Sequence, residues 1–237
     1  MNSSMWIRSI VLGLALSVPT QVRADLGLLY VSSYPSTIET ITPGGTTSPF
    51  ASGLSNPWGM AFDSAGNLYV ANVVSDTIEK ITAGGVSSVF ASGLNAPVGL
   101  AFDASGNLYV SNAAGNSIDK FTPSGVGTVF ATGLMYQYGL ALDTAGNVYV
   151  ADPVINNGVI EKFTPGGVGS IFATVAGATA LAFDASGNLY TSGDSTTITK
   201  ITPGGVASGF ATVDRETYAL AFDSSGNLFA ANFNIGT

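Results

Sequence analysis

The chain has 237 residues, with 15 acidic and 7 basic side chains, 30 Gly, 10 Pro and neither Cys nor His, giving a net charge of −8. Without imidazole or thiol there is no Ser-His-Asp or Cys-His nucleophilic catalysis, no His- or Cys-ligated zinc and no disulfide. The acidic balance and the lack of any Lys/Arg cluster exclude a nucleic-acid partner and an anionic membrane surface.

Residues 1–24 differ from everything that follows. A short segment ending at Arg8 precedes an apolar run from Ser9 to Val18, then Pro19 and the tripeptide Val22-Arg23-Ala24. The run is too short for a membrane span and has the layout of a secretory signal peptide, with cleavage expected near Ala24. The processed chain, residues 25–237, would then be secreted to the periplasm, cell surface or medium with no membrane span. Loss of Arg8 and Arg23 takes its net charge to −10. A secreted domain without Cys must draw its stability from packing and sheet hydrogen bonds.

From residue 25 onward the sequence repeats itself. The motif Ala-Phe-Asp, once Ala-Leu-Asp, places its aspartate at Asp63, Asp103, Asp143, Asp184 and Asp223, at spacings of 40, 40, 41 and 39 residues. Such a period marks a blade or a solenoid turn. Within the second unit four short strands are expected: Gly59–Phe62, Asn67–Ala71, Thr77–Thr82 and Val86–Ala91. The run Asp63-Ser64-Ala65-Gly66-Asn67 recurs four more times and has the layout of a type I turn with a glycine bulge. Thr42-Pro43-Gly44-Gly45 and its copies form the turn between the third and fourth strands. Four antiparallel strands per forty residues is the arithmetic of a β-propeller blade. The fold class is therefore all-β, a β-propeller of five to six four-stranded antiparallel blades. Its units cover roughly 25–54, 55–94, 95–134, 135–175, 176–213 and a partial 214–237.

Gly-Leu-Ala-Phe-Asp-x-x-Gly-Asn-Leu-Tyr-Val at 99–110, with Ile-x-Lys-Phe-Thr-Pro-x-Gly after it, resembles the NHL repeat family of propellers. The resemblance covers the whole processed chain and implies kinship with secreted bacterial NHL-type propellers. More distantly it implies the SMP-30/gluconolactonase-like lactonases and the streptogramin lyases. The lyase catalytic His has no possible counterpart here. Ring closure stays open at this point. The segments add up to 21 strands, one more than five complete blades and three short of six, and the halt after Gly236-Thr237 suggests a truncated reading frame.

Positions identical in every unit serve the fold, so a site must be encoded where the units differ. The five turn aspartates invite a calcium reading, but each loop holds one carboxylate, and the role of turn acceptor accounts for all five. Lys80, Lys120, Lys162 and Lys200 recur at one place in the third strand, as stems packed between blades. Two residues before the apolar Leu/Met of each first strand the units carry Trp58, Val98, Tyr138, Thr179 and Tyr218. First strands line the channel of a propeller, so these should ring its mouth, either as a ligand platform or as a hydrophobic plug. Tyr136 and the irregular loop with Arg215 extend that surface. At the exits of the second strands stand Asn72, Asn112, Asp152, Asp194 and Asn232 as hydrogen-bonding groups. Asp152 and Asp194 are the candidate ligands for a divalent metal such as calcium; no other cofactor is expected. The expected function is non-enzymatic binding of a small molecule, glycan or protein through this face. The alternative is a metal-dependent lactonase-like hydrolase using Asn112, Asp152 and Asp194.

Overall fold

The computed structural model describes residues 14–16, 28–153, 158–192, 196–213 and 216–232. They form 22 strands in six sheets, five of four antiparallel strands and one of two. In blade 2 the strands are Pro57–Phe62, Leu68–Asn72, Thr77–Ile81 and Ser87–Ser92. Sequence and structure agree there to within two residues at each strand end. The second strand of each blade is covered on both faces by neighbouring blades, which is why it reads as an unbroken apolar run such as Leu68-Tyr69-Val70-Ala71.

The turn aspartates act as the turn chemistry demands. Asp63 Oδ1 accepts the N–H groups of Ala65 and Asn67 at 2.9 and 2.8 Å, and Oδ2 accepts the Asn67 side-chain amide at 2.7 Å. Gly66 closes the turn at a φ of +81°, a conformation that Cβ-bearing residues rarely adopt. The same three bonds recur at Asp103, Asp143, Asp184 and Asp223.

Each seam between complete blades is built on a second-strand tyrosine. Tyr69 meets Phe90 and Phe102 edge to face, both at 4.9 Å between centroids, and Tyr149 meets Phe172 and Phe183 at 5.0 Å. Such pairs contribute beyond the area they bury, by about 0.5–1.5 kcal/mol each. The recurring lysines cap these rings. Lys120 Nζ lies 4.8 Å from the centre of Tyr109 and 3.4 Å from Asp103, with Lys80, Lys162 and Lys200 placed alike over Tyr69, Tyr149 and Tyr190.

Ring closure follows the six-unit option that the strand count left open, with the sixth unit two-stranded among the described residues. The two-stranded sheet, Thr217–Phe222 and Leu228–Asn232, is a separate sixth unit. It packs on blade 5 through Leu220, Phe222 and Leu228, and on blade 1 through Ala219, Ala221 and Phe229 against Leu29, Val31 and Ile41. The additional strand is Leu14–Leu16, inside the expected export signal. It pairs antiparallel with Leu29–Val31 and fills the innermost position of blade 1. Among the described residues no helix is long and apolar enough to cross a membrane.

Candidate functional site

The first strands converge on the axis, and their spacing is set by small residues. A Cβ on Gly139 would sit 2.3 Å from Thr179 O, 2.9 Å from Leu181 N and 3.1 Å from Ala180 C, all backbone atoms of blade 5. Only glycine permits this approach, and the gap closes into a 2.7 Å hydrogen bond from Gly139 N–H to Thr179 O. Gly59 stands equally close to the backbone of blade 3.

Hydroxyls on the second strands then fasten one blade to the next at the rim. Ser32 Oγ donates to Trp58 O at 3.2 Å, Ser111 Oγ to Tyr138 O at 3.0 Å and Ser192 Oγ to Thr217 O at 2.7 Å. Ser111 also accepts the Gly99 N–H at 2.8 Å. These bonds hold the backbone of three rim positions. The sequence offered a signal for them, since Ser stands at 32, 111 and 192 where other units have Ala71 and Ala151, but it was not read as functional.

On that rim Trp58, Tyr138 and Tyr218 come together. The Trp58 ring lies 6.0 Å from Tyr138, tilted at 51°, and 6.3 Å from Tyr218, nearly perpendicular. All three are half-buried. They stand over a cavity of about 130 Å³ whose other walls are Gly, Ala, Val, Leu and Met of the first strands. Val98 contributes to the wall. Thr179 is buried and donates to Ser192 O and Thr217 O instead. Glu216, exposed beside the cluster, accepts a 3.0 Å hydrogen bond from the Tyr218 hydroxyl. Tyr136 is 59% exposed, on a residue with φ of +53°, and projects to solvent from the loop before the blade 4 first strand.

The second-strand exits face elsewhere. Asn72 and Asn112 are each 2% exposed and Asp152 is fully buried. Asn72 Oδ1 accepts Ser55 N–H at 3.2 Å, Asn112 Oδ1 accepts Asn95 N–H at 3.4 Å and Asp152 Oδ2 accepts Met135 N–H at 2.8 Å. Their side chains share the strand face of Val70, Val110 and Val150, which looks into the blade seams, and none of the three lines the axial cavity. Asp194 and Arg215 lie outside the described residues. Among the described residues no three Asp or Glu side chains gather in a metal-binding group. A second, larger groove of about 550 Å³ runs along the outer seam between blades 3 and 4, with Phe130, Leu134, Phe163, Ile171 and Glu161 in its walls.

No protein-family profile matches the chain, and no curated protein sequence is significantly similar to it. Solved structures resemble it at low identity. A gluconolactonase from Xanthomonas campestris superposes with a TM-score of 0.82 at 18% identity, covering 95% of this chain and 84% of that one. Virginiamycin B lyase from Staphylococcus aureus gives 0.73 at 17% identity, covering 92% and 77%. An auxiliary nutrient binding protein from Bacteroides thetaiotaomicron gives 0.74 at 13% identity, covering 94% and 66%. The chain thus has a propeller fold that both enzymes and binding proteins share, and at these identities the likeness speaks for the fold alone.

Proposed function

We propose that the protein is an exported, non-enzymatic NHL-type propeller that binds its partner end-on at the channel mouth, through Trp58, Tyr138 and Tyr218. The observation that carries this reading is the half-buried aromatic cluster over an uncharged cavity. At about 130 Å³ the cavity is well below the roughly 300–1,000 Å³ of a site that engulfs a whole small molecule. It suits a single planar or apolar group, such as one sugar ring or one side chain, presented by a larger glycan or polypeptide. Stacking on Trp and Tyr faces supplies affinity for such groups without charge. Tyr136 extends the contact surface outward, while Asn72 and Asn112 position the loops that carry the rim.

The lactonase reading requires carboxylates where a substrate would sit, and among the described residues the cavity wall has none. The test is an array of immobilised glycans and peptides probed with wild type, Trp58→Ala and Tyr138→Ala. Signals lowered at least tenfold in both variants on the same probes would support the mouth as the site. Unchanged signals would overturn it.

A further inference from the structure

The innermost strand of blade 1 comes from the segment that export would remove. Leu14–Leu16 runs antiparallel to Leu29–Val31, with Leu14 across from Val31, Ala15 from Tyr30 and Leu16 from Leu29. It lies between the first strand of blade 2 and that of the sixth unit. Its residues suit both of its places. Leu14-Ala15-Leu16 matches Leu140-Ala141-Leu142 in the first strand of blade 4, and it also lies within the apolar run that has the layout of a leader. Cleavage near Ala24 would take the strand away and leave Leu29–Val31 as an edge open to the channel. Backbone N–H and C=O groups at such an edge, walled in by two neighbouring first strands, need partners, and an extended chain is what they template.

The other units define what such a chain must carry. In each of the five remaining first strands the two large residues of the triplet pack toward the preceding unit, and the alanine between them packs toward the following one. Met60 and Phe62 thus meet blade 1, and Ala61 meets blade 3. Phe62 and Phe102 set their rings edge-on to Tyr30 and Tyr69, the second-strand tyrosines of the preceding blades, at 4.9 Å. At the slot the preceding unit offers Phe229 in the tyrosine's place, across from Ala221 as Tyr69 is from Ala61. The leader has Leu16, not phenylalanine, at the third position of the triplet. The rim has a sixth place as well. Trp58 and Tyr218 stand two residues before their triplets, and the place between them belongs to the strand in the slot.

We infer that in the exported protein this slot receives an extended apolar strand of another polypeptide, added antiparallel to Leu29–Val31. The strand carries a large residue, a small one and a phenylalanine in succession, and its upstream residue takes the sixth rim place between Trp58 and Tyr218. Main-chain hydrogen bonds supply the affinity of such strand addition, and the alternating side-chain positions supply its specificity. The inference rests on the exported state proposed above and deepens that reading, because it makes the partner at the mouth a polypeptide held by its backbone. Leu14–Leu16 occupies the slot as a stand-in for that partner.

The experiment uses the protein as a bacterial host exports it under its own leader, with the N-terminus read by intact mass. It is titrated with a labelled peptide of residues 9–18, flanked by lysines for solubility. Fluorescence anisotropy reports binding, and circular dichroism in parallel registers any peptide that completes an incompletely folded chain. A chain starting near Asp25 is expected to bind the peptide saturably, with hydrogen exchange slowed at Leu29–Val31. Ala15→Pro in the peptide removes a ladder N–H and should weaken binding at least about tenfold. Leu16→Phe should tighten it about two- to tenfold by adding the edge-on ring pair that other seams have. Neither binding nor folding up to about 1 mM peptide would overturn the inference, as would an Ala15→Pro peptide that binds like the parent, or a processed chain whose edge is closed by a second copy. An exported chain that keeps Leu14–Leu16 would overturn it together with the processing it depends on. Array signals that fall in Trp58→Ala while the peptide fails to bind would sink this inference alone; a peptide that binds while the array signals stay unchanged in Trp58→Ala and Tyr138→Ala would sink the aromatic mouth and leave the slot.

Discussion

Replacing Gly139 by alanine tests whether the axial spacing of the blades is set by its missing side chain. The new Cβ would lie 2.3 Å from Thr179 O and 2.9 Å from Leu181 N, about 1 Å inside contact distance. Since these are backbone atoms of blade 5, relief requires that two blades part. Overpacking of this kind costs about 1–3 kcal/mol. Parting the strands also stretches the 2.7 Å bond from Gly139 N–H to Thr179 O, whose net loss adds about 1 kcal/mol. The expected destabilisation is therefore about 2–4 kcal/mol. Strand propensity cannot account for it, because Ala180 and Ala219 hold the same register in blades 5 and 6. Urea unfolding followed by both far-ultraviolet circular dichroism and tryptophan fluorescence measures the change. Gly84→Ala is the control, because its new Cβ has nothing nearer than Thr82 Oγ1 at 3.9 Å. If Gly139→Ala unfolds within 0.5 kcal/mol of wild type at unchanged m, the axial approach does not set the spacing.

Ser111→Ala leaves the Gly99 N–H and the Tyr138 carbonyl without their shared partner inside the protein, so a loss of about 1–3 kcal/mol is expected by the same urea assay. A variant as stable as wild type would show that the two groups close directly on each other, as Gly139 and Thr179 do. Acid unfolding should follow the turn aspartates. Burial raises the Asp103 carboxyl, but the side-chain and backbone bonds from Asn107 and the Ser105 N–H outweigh it and hold it below its ordinary 3.8. Asp143, Asp184 and Asp223 are held low in the same way. Groups with lowered folded values stabilise fully above the unfolded value and lose that contribution as pH falls through the folded one. Melting temperature should therefore decline steadily below about pH 4, and a Tm that is flat from pH 5 to 2 would contradict the hydrogen-bonding pattern. At the other extreme, the phenol of Tyr109 beside Lys120 raises that ammonium above 10.5 against the opposing effect of burial, and Lys80 and Lys162 share the shift. Their contribution is complete below 10.5 and disappears as pH rises through the folded values, so alkaline titration should show a second fall in Tm there.

The repeat made the blades legible because every turn carries its own chemistry, Asp and Gly at fixed offsets, and each strand its own apolar pattern. The meeting of Trp58, Tyr138 and Tyr218 was readable for the same reason, since first strands must face the axis. The second-strand exits were harder. Asn72 follows Val70 and Ala71 in a strand whose two faces are both buried, so no alternation of polar and apolar residues tells which face its amide takes. The bulge in the first strand, where Pro57 and Met60 bracket a shift in register, further breaks any count of parity across the pair. Leu14–Leu16 was hidden differently. An apolar tripeptide serves equally well as leader or as strand, and its pairing with Leu29–Val31 leaves no mark in the sequence.

The six seams are not equal, and a closed ring parts at its weakest join. Four of them set a second-strand tyrosine edge-on to a phenylalanine of the next unit, and the join of blades 3 and 4 sets Phe130 edge-on to Phe163, whereas the join of the sixth unit to blade 1 rests on Ala219, Ala221, Ala231 and Val31 with a lone Phe229. Thermal breathing should concentrate there, so the amides of Leu29–Val31 and Leu228–Ala231 exchange their hydrogens well before those of blades 3 and 4. The molecule is in this sense a bracelet with one clasp. Any partner that bridges the rim from Trp58 to Tyr218 straddles that clasp and would slow its opening.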